Sequence, residues 1–230
     1  MSHRTVPDAP PVRLVEGLRI DQPTFHALYE ATPPGVRAEL INGVVHMPSP
    51  VGSAHGRAQL PVFAWLIVYL ENTPGVEALD NVTTILGSRS EPQPDALLRI
   101  LAECGGRSRD EEGYIQGAPE LVVEVSKTTR YVDLGPKLED YERAGVLEYI
   151  VRVFEPDEIH WFVSRNGRFE DLEPGPDGIS RSRVFPGLWL DPIALLAADF
   201  KRVRAVVEQG CATAEHAAFV AKLADARRTT

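Results

Sequence analysis

Three carboxylates stand in stretches whose other residues are typical of β-strands, where an unpaired charge is costly. Glu39 comes shortly before an Asn-Gly turn, Asp95 follows Pro94, and Glu124 interrupts the apolar run at positions 121–125. Desolvating a lone carboxylate costs several kcal/mol or forces it to take up a proton, so each carboxylate needs a partner. A metal ion held by oxygen ligands is one such partner, and a buried salt bridge is another.

The face of the strand that carries Glu124 can be read from the alternation of its side chains. In a strand, alternate residues share a face, so Val122, Glu124 and Ser126 point one way. Lys127 then points away from Glu124 if the strand stays regular. The polar neighbour of Glu124 on its own face is therefore Ser126.

A helix is predicted directly after this strand, because Asp133 can cap a helix and Pro136 fits a first turn. Lys137 and Tyr141 are four residues apart, so they share one face of that helix. Taken alone, Lys137 is also typical of an exposed helix ion pair. A second apolar run at residues 147–154 completes a strand–helix–strand pattern, which predicts a parallel βαβ unit.

Length and charge restrict the class of protein. The chain has 230 residues, which suits one large domain, and a formal net charge of −9. An acidic chain is a poor general coat for nucleic acid. The charge argues less strongly against a nuclease, whose cleft needs carboxylates and whose basic residues can cluster locally.

We expect a cytoplasmic protein that neither spans a membrane nor binds to one. Cys104 and Cys211 are far apart and form no CxxC motif, which favours free thiols in a reducing compartment. The first ten residues lack the apolar stretch of a signal peptide, and the longest apolar stretch, residues 60–70, is too short to span a bilayer.

The first half of the chain contains several clear structural signals. A short helix is predicted after Asp21 and a hairpin around Asn42-Gly43. A long helix is predicted over residues 54–71, in which Pro61 indicates either a kink or a later start. If this helix begins near residue 54, His55 lies on its first turn.

The remaining signals lead to a division of the chain into three parts. The other predicted elements are a strand pair over 76–86, a strand after Pro94, a polar loop over 104–113, a hairpin around Asn166-Gly167, and helices over 193–207 and 212–228. We predict a flexible tail at residues 1–20, an α/β domain at 21–190 and a helical C-terminal extension at 191–230.

The order of these motifs resembles that of a known nuclease superfamily. Pro94-Asp95, followed about thirty residues later by Glu124-Val125-Ser126, is similar to the PD-(D/E)XK pattern. The flanking sequence resembles the Uma-type restriction endonuclease family over residues 25–190. The motifs that carry this likeness are Glu39-Leu-Ile-Asn-Gly, Ser49-Pro with His55 following, Gly117-Ala-Pro-Glu-Leu-Val-Val-Glu124, Asp133 with Lys137 and Tyr141, and Gly145-Val-Leu-Glu-Tyr.

The resemblance implies a restriction-endonuclease-like α/β fold, with a central mixed sheet flanked by helices, and a nuclease that hydrolyses phosphodiester bonds in DNA. It also implies that Asp95 and Glu124, with the carbonyl of Val125, hold Mg²⁺ or Mn²⁺. Glu39 and Lys137 are the further catalytic residues it implies, and we expect His55 and Tyr141 to contact the substrate. Double-stranded DNA and a homodimer are the expected partners.

One departure from the superfamily pattern leaves alternatives open. Ser126 stands where the superfamily has its lysine, so either Lys137 on the following helix or Lys127 in the loop replaces it. The alternative function is a catalytically inactive nuclease-fold module that binds DNA or a protein partner. A structural subunit of an oligomer is a third hypothesis.

Overall fold

The structure is a computed structural model that describes residues 13–127 and 129–229. In chain order the strands are β1 (Glu39–Ile41), β2 (Val44–His46), β3 (Val76–Leu79), β4 (Thr84–Ile85), β5 (Ala96–Ile100), β6 (Arg109–Glu111), β7 (Tyr114–Gln116), β8 (Leu121–Ser126), β9 (Glu148–Phe154), β10 (Asp157–Arg165), β11 (Arg168–Asp171), β12 (Ser180–Arg181) and β13 (Trp189–Leu190). The α-helices are α1 (Gln22–Glu30), α2 (Ser53–Asn72), α3 (Arg130–Val132), α4 (Leu138–Ala144), α5 (Pro192–Leu196), α6 (Phe200–Cys211) and α7 (Ala214–Thr229), with a 3₁₀ turn at Ala102–Cys104 and a π-helical turn at Asp133–Lys137.

A six-stranded mixed sheet, in the order β11-β10-β9-β8-β5-β3, forms the centre of the fold. Its one parallel pair is β8 with β9, in which Glu124 lies opposite Val151. The helical segment between these two strands makes the predicted βαβ unit. The other pairs in this sheet are antiparallel, including β5 with β8. The predicted fold class, a central mixed sheet flanked by helices, is therefore confirmed.

The two faces of the central sheet are covered by different helices. On one face α2 and α6 pack over a large apolar cluster that includes Trp65, Val123 and Val207. On the other face, α4 covers a smaller cluster around Tyr141 and Tyr149. Burial of apolar side chains on both faces explains why β8 and β9 read as nearly continuous apolar runs.

One of the predicted C-terminal helices is divided in the structure. The single helix predicted over 193–207 is two helices, because Ala198 takes a left-handed backbone conformation (φ 52°) between α5 and α6. Asp199 then caps α6 by accepting a hydrogen bond from the backbone N–H of Arg202. Val203 and Val207 of α6 belong to the main core, so this region is integrated with the sheet.

Local pairing in the middle of the chain also differs from the prediction. The expected strand pair over 76–86 does not form, because β3 joins the central sheet and β4 pairs with β7 in a separate three-stranded sheet. The segment 104–113, predicted as a loop, contains β6 of that small sheet. Strands of two or three residues carry too little alternation to be recognised from sequence.

Residues 13–20 are held against the β1–β2 hairpin. The N–H of Gly17 donates to the carbonyl of Val45, that of Ile20 donates to Gly43, and the side chain of Leu14 is buried. The flexible tail predicted for residues 1–20 is therefore too long at its C-terminal end, and residues 1–12 lie outside the described part of the chain. Within the described residues, no helix has both the length and the apolar character needed to cross a bilayer.

Candidate active site

Asp95 and Glu124 are brought together by the pairing of two strands. Asp95 immediately precedes β5, which runs antiparallel to β8 with Ala96 opposite Val123. The backbone N–H of Val125 donates a 2.7 Å hydrogen bond to Oδ2 of Asp95. This register places the Asp95 carboxylate beside the residue that follows Glu124.

Glu124 is the buried centre of the site. It lies in the middle of β8 with only 5% of its side chain exposed, and its Oε1 accepts two hydrogen bonds. Lys137 Nζ donates at 3.0 Å and the hydroxyl of Tyr141 donates at 2.8 Å. The two helix residues that share a face by their spacing therefore meet at the same carboxylate oxygen.

The helical segment that carries Lys137 and Tyr141 has an irregular first part. Between α3 and α4 it contains the π-helical turn Asp133–Lys137, which includes Gly135 and Pro136. Proline has no N–H to donate to an α-helical turn, and glycine weakens one, so both residues favour a departure from regular α geometry here. Wide turns of this kind occur often at functional sites. This one ends at Lys137, which is buried although it is a lysine.

Glu39 reaches the same lysine from a different part of the chain. Its Oε1 lies 3.0 Å from Lys137 Nζ and accepts a 2.7 Å hydrogen bond from the backbone N–H of Gln93. The hairpin that carries Glu39 is held at its turn by Asp140, whose Oδ2 accepts from the N–H of Asn42 at 2.5 Å. Lys137 thus joins the β1–β2 hairpin to the central sheet.

His55 lies in the first turn of α2, as predicted for a helix that begins near residue 54. Its Nε2 is 3.1 Å from Oδ1 of Asp95, and its ring packs edge-on against Phe154 at 6.2 Å. Gln59, one turn later, donates to the backbone carbonyl of Asp95. Pro61 is accommodated inside α2, so the helix starts early enough to bring His55 to the carboxylates.

These side chains line one cleft of about 700 Å³. Glu39, Asp95, Glu124 and Lys137 all contribute to its wall, and their side chains are only 5–15% exposed. Tyr141 lies behind Glu124 and does not line the cleft. Tyr141 therefore contacts Glu124, and it is not placed to touch a substrate in this arrangement, contrary to the substrate-binding role expected for it.

The structure separates the two candidate lysines. Lys137 lies among the carboxylates, whereas Lys127 is 42% exposed and pairs with Glu155 at 2.7 Å. Lys127 lines the cleft nearer to solvent, where its ammonium group also lies 5.9 Å from the ring of Phe154. Lys137 is thus the cation that contacts the central carboxylates.

Asp133 is a further acidic member of the site, although neither its capping position nor the family likeness predicted a catalytic or metal-binding role for it. It was predicted as a helix cap, but it lies inside the helical segment and is buried. Its Oδ1 is 3.9 Å from Lys137 Nζ, and its Oδ2 accepts a hydrogen bond from Thr129 at 2.9 Å. The available signal was its spacing of four residues before Lys137, which places both side chains on one helix face.

The charges in the cleft are unbalanced. Glu39, Glu124 and Asp133 surround the ammonium group of Lys137, and Asp95 lies close enough to Glu124 to affect its charge. Burial raises the pKa of Glu124 well above its usual range, and the neighbouring carboxylates raise it further, against the opposing effect of Lys137. Burial also raises the pKa of Asp133. Burial is the main cause of both shifts, because a poorly solvated position disfavours the charged form of a carboxyl group.

The pKa of Lys137 is raised as well, but for a different reason. Burial lowers the pKa of its amine, but the combined attraction of Glu124, Glu39 and Asp133 is larger, so the pKa lies well above its usual value. The amine therefore stays protonated at neutral pH. A protonated amine donates hydrogen bonds and stabilises negative charge; it does not accept a proton.

The donor set fits a hard divalent cation that keeps part of its water shell. Carboxylate oxygens are the ligands that Mg²⁺ prefers, and the excess negative charge favours a cation. In the described part of the chain, no group of three or more Asp, Glu, His or Cys side chains is arranged so that it could hold a metal ion. Asp95 and Glu124 would thus leave most coordination positions to water or substrate, which is usual for Mg²⁺.

Comparison with known proteins gives the family of this chain. No curated protein matches it significantly. Its fold is similar to a crystal structure titled as a putative nuclease belonging to DUF820 from Anabaena variabilis ATCC 29413, with a TM-score of 0.52 and 14% sequence identity over 79% of this chain and 97% of that one. The sequence model of the Uma2 family matches residues 22–195, a span that includes Glu39, Asp95, Glu124 and Asp133. The chain therefore belongs to the Uma2 family, which is described as "Putative restriction endonuclease".

Proposed function

We propose that this protein is a divalent-metal-dependent nuclease that hydrolyses phosphodiester bonds in DNA. The observation that carries the proposal is the convergence of Glu39, Asp95 and Glu124 with Lys137 in one cleft. These residues come from four separate segments of the chain, and three of them are acidic groups in strand-rich sequence. Membership of a restriction endonuclease family supports the same reaction class.

Asp95 and Glu124, together with the backbone carbonyl of Val125, are the proposed metal ligands. Bound Mg²⁺ or Mn²⁺ supplies Lewis acidity toward the phosphate and lowers the pKa of a bound water. The protein's contribution is to hold the two carboxylates in place. The N–H of Val125 fixes Asp95, and the hydroxyl of Tyr141 fixes Glu124. Tyr141 is thus proposed as a positioning residue.

Lys137 is the proposed stabiliser of developing charge. Its amine is protonated and already donates to Glu39 and Glu124, so it can redirect a hydrogen bond to a phosphate oxygen or to the attacking water. Glu39 then keeps the amine in place as a further acceptor. His55, 3.1 Å from Asp95 at the cleft wall, is proposed to contact the substrate.

Two measurements test the proposal together. Isothermal titration should show Mn²⁺ or Mg²⁺ binding to the wild-type chain and none to Glu124→Gln, and cleavage of DNA should require the same metal and disappear in Asp95→Asn. Glu148→Gln is the matched control, because Glu148 is an equally buried carboxylate on the neighbouring strand β9, away from the cleft. Metal binding that survives in Glu124→Gln would contradict the proposed ligand set.

A second candidate is the inactive nuclease-fold module, and one observation favours it. Glu124 already receives hydrogen bonds from Lys137 and Tyr141, as a purely structural ion pair would. The two functions predict different results, because an inactive module binds DNA but cleaves none with any divalent metal. DNA binding without cleavage in Mg²⁺ and in Mn²⁺ would select this second candidate.

A homodimer is also proposed, because restriction endonucleases usually cut the two strands of a duplex with two active sites. This expectation rests on the likeness to restriction endonucleases. Light scattering at micromolar concentration measures it directly. A mass near 25.3 kDa, that of one chain, would contradict it.

A further inference from the structure

The catalytic groups proposed above lie at the bottom of a recess. The side chains of Glu124 and Lys137 are 5% and 7% exposed, and that of Asp95 is 15% exposed. A phosphate must therefore enter the cleft to reach them. A phosphate within a regular duplex is held at the surface of a stiff double helix, whereas one in an unpaired strand can bend inward.

The size of the cleft also favours a small segment of nucleic acid. Its volume of about 700 Å³ falls within the range of roughly 300–1,000 Å³ that is typical of small-molecule pockets. That space accommodates a nucleotide or a short part of one strand. A volume of this size does not enclose both strands of a duplex together with the backbone around them.

The mouth of this charged cleft carries exposed apolar side chains. Tyr131, from α3, is 75% exposed, and its ring contacts no other ring and accepts or donates no hydrogen bond among the described residues. Met47 and Val51, from the segment between β2 and α2, are 38% and 55% exposed and line the same cleft. An aromatic ring with a free face at the entrance to a phosphate-handling site is a stacking platform for a base.

Electrostatics does not favour a long duplex. The chain carries a net charge of −9. Of the cations that line the cleft, Lys127 and Lys137 are engaged in ion pairs, whereas Arg37 has no acidic partner among the residues described. Binding to duplex DNA commonly draws on many phosphate contacts. Arg37 is therefore the lining cation, among the described residues, that is most available to a phosphate, and the exposed ring of Tyr131 lies at the same cleft.

We infer that the substrate of this site is an unpaired stretch of DNA, with one base stacked on Tyr131 and a neighbouring phosphate at Arg37. The inference rests on the proposed function and narrows it, since it replaces the expected intact duplex with single-stranded or locally unpaired DNA. Stacking on Tyr131 favours an unpaired strand over a base-paired one. It accepts any of the four bases, because every base has an aromatic face.

Binding tests this inference without cleavage. A fluorescein-labelled single strand of twelve nucleotides, alone or annealed to its complement, is titrated with the wild-type chain in EDTA and followed by anisotropy. The single strand should bind at least tenfold more tightly than the duplex. Tyr131→Ala should weaken single-strand binding by about 5- to 100-fold, as expected for the loss of one stacked base, and Tyr131→Phe should retain it.

Phe200→Ala is the matched control, because Phe200 is an exposed aromatic residue that does not line the cleft, and it should bind as the wild type does. Duplex binding as tight as single-strand binding, unchanged binding in Tyr131→Ala, or no binding of either form would overturn the inference.

Cleavage assays with Mg²⁺ and Mn²⁺ separate this inference from the proposed function. Cleavage of intact duplex that is as fast as cleavage of the single strand, and insensitive to Tyr131→Ala, would overturn the inference and leave the nuclease in place. Single-strand binding that depends on Tyr131, with no cleavage of any DNA, would uphold the substrate class and remove the proposed nuclease activity.

Discussion

Lys137 Nζ lies 3.0 Å from Oε1 of Glu124, although Glu124 belongs to a central strand and Lys137 to the end of a π-helical turn. Both side chains are buried, so removing either one leaves the other charge in a poorly solvated position without its partner. This relationship links the stability of the protein to the chemistry proposed for the cleft.

Replacing Lys137 by methionine should destabilise the protein by about 3–5 kcal/mol at pH 7.5, because three carboxylates lose their shared cation. Urea unfolding followed by tryptophan fluorescence measures this change. The loss should be smaller at pH 5, where the carboxylates can take up protons. The matched control is Lys127→Met, which removes an exposed ion pair and should cost less than about 1 kcal/mol. Equal losses in the two variants would contradict the buried network.

Combining Lys137→Met with Glu124→Gln should cost less than the sum of the two single changes. The double variant removes a cation and an anion together, so it leaves less unpaired charge than Lys137→Met alone. A double-mutant cycle on unfolding free energies measures the coupling, expected at about 0.5–3 kcal/mol. Strict additivity would show that the 3.0 Å contact contributes nothing in solution.

Tyr141→Phe should weaken both folding and metal binding. The hydroxyl donates to Glu124 Oε1 at 2.8 Å, and hydrogen bonds to charged groups contribute about 1.5–3 kcal/mol. The neighbouring Tyr149 donates to the backbone carbonyl of Asp133 instead, so Tyr149→Phe should lower stability and leave Mn²⁺ affinity nearly unchanged. Titration calorimetry on both variants compares them. An equal effect on Mn²⁺ affinity would argue against a positioning role for Tyr141.

Asp140→Ala should affect Glu39 indirectly. Asp140 is buried and accepts hydrogen bonds from the N–H of Asn42 and the hydroxyl of Ser90, both at 2.5 Å. Its removal leaves a buried donor without a partner, at a cost of about 1–3 kcal/mol, and frees the hairpin that carries Glu39. The free energy of unfolding should fall. The rate of DNA cleavage should fall by more than it does in Glu148→Gln when the two variants are compared at equal stability. Full activity in a folded Asp140→Ala variant would show that the hairpin needs no such anchor.

Glu148 should make stability depend on pH in an unusual direction. Burial raises its pKa to about 7, against the hydrogen bonds that it accepts from Arg183, Ser182 and Val184. A folded-state pKa above the unfolded value of about 4.5 means that the native state binds the proton more tightly. This contribution to stability is therefore complete below about pH 4.5 and is lost as the pH rises through 7, a change of about 3 kcal/mol.

The variant Glu148→Gln isolates this effect. It carries no titrating group at this position, so its unfolding free energy should lose the component that falls between pH 4.5 and 7. As the pH rises from 4.5 to 7, the unfolding free energy of the wild type should therefore fall relative to that of Glu148→Gln. Unfolding free energies that stay parallel across this range would mean that Glu148 titrates normally.

The local elements of this fold follow closely from local sequence. The Asn42-Gly43 turn takes positive φ values at both residues, as the hairpin signal predicted. The parallel pairing of β8 and β9 follows from two apolar runs separated by a helix signal. The single helix predicted over 193–207 was wrong because the cap at Asp199 and the left-handed Ala198 interrupt a continuous apolar pattern.

The carboxylates could be picked out from sequence because charge within a strand-forming run needs an explanation. The side chains that pair with these carboxylates could not be identified by the same reasoning. Whether Lys137 is an exposed helix lysine or a buried one depends on how the helix packs against β8, and periodicity cannot distinguish the two. The contact between Glu39 and Lys137 joins residues 98 positions apart, so only the folded chain brings them together.

The sequence by itself determined which residue types were available, the order of the main strands and helices, and the likeness to a nuclease family. These properties depend on neighbours along the chain, whose spacing the sequence states directly. The tertiary structure alone decided that Lys137 rather than Lys127 meets the carboxylates, that Asp133 joins them, and that Tyr131 is free at the cleft mouth. Burial and pairing decide these points, because both depend on distances through space between residues that are far apart in the chain.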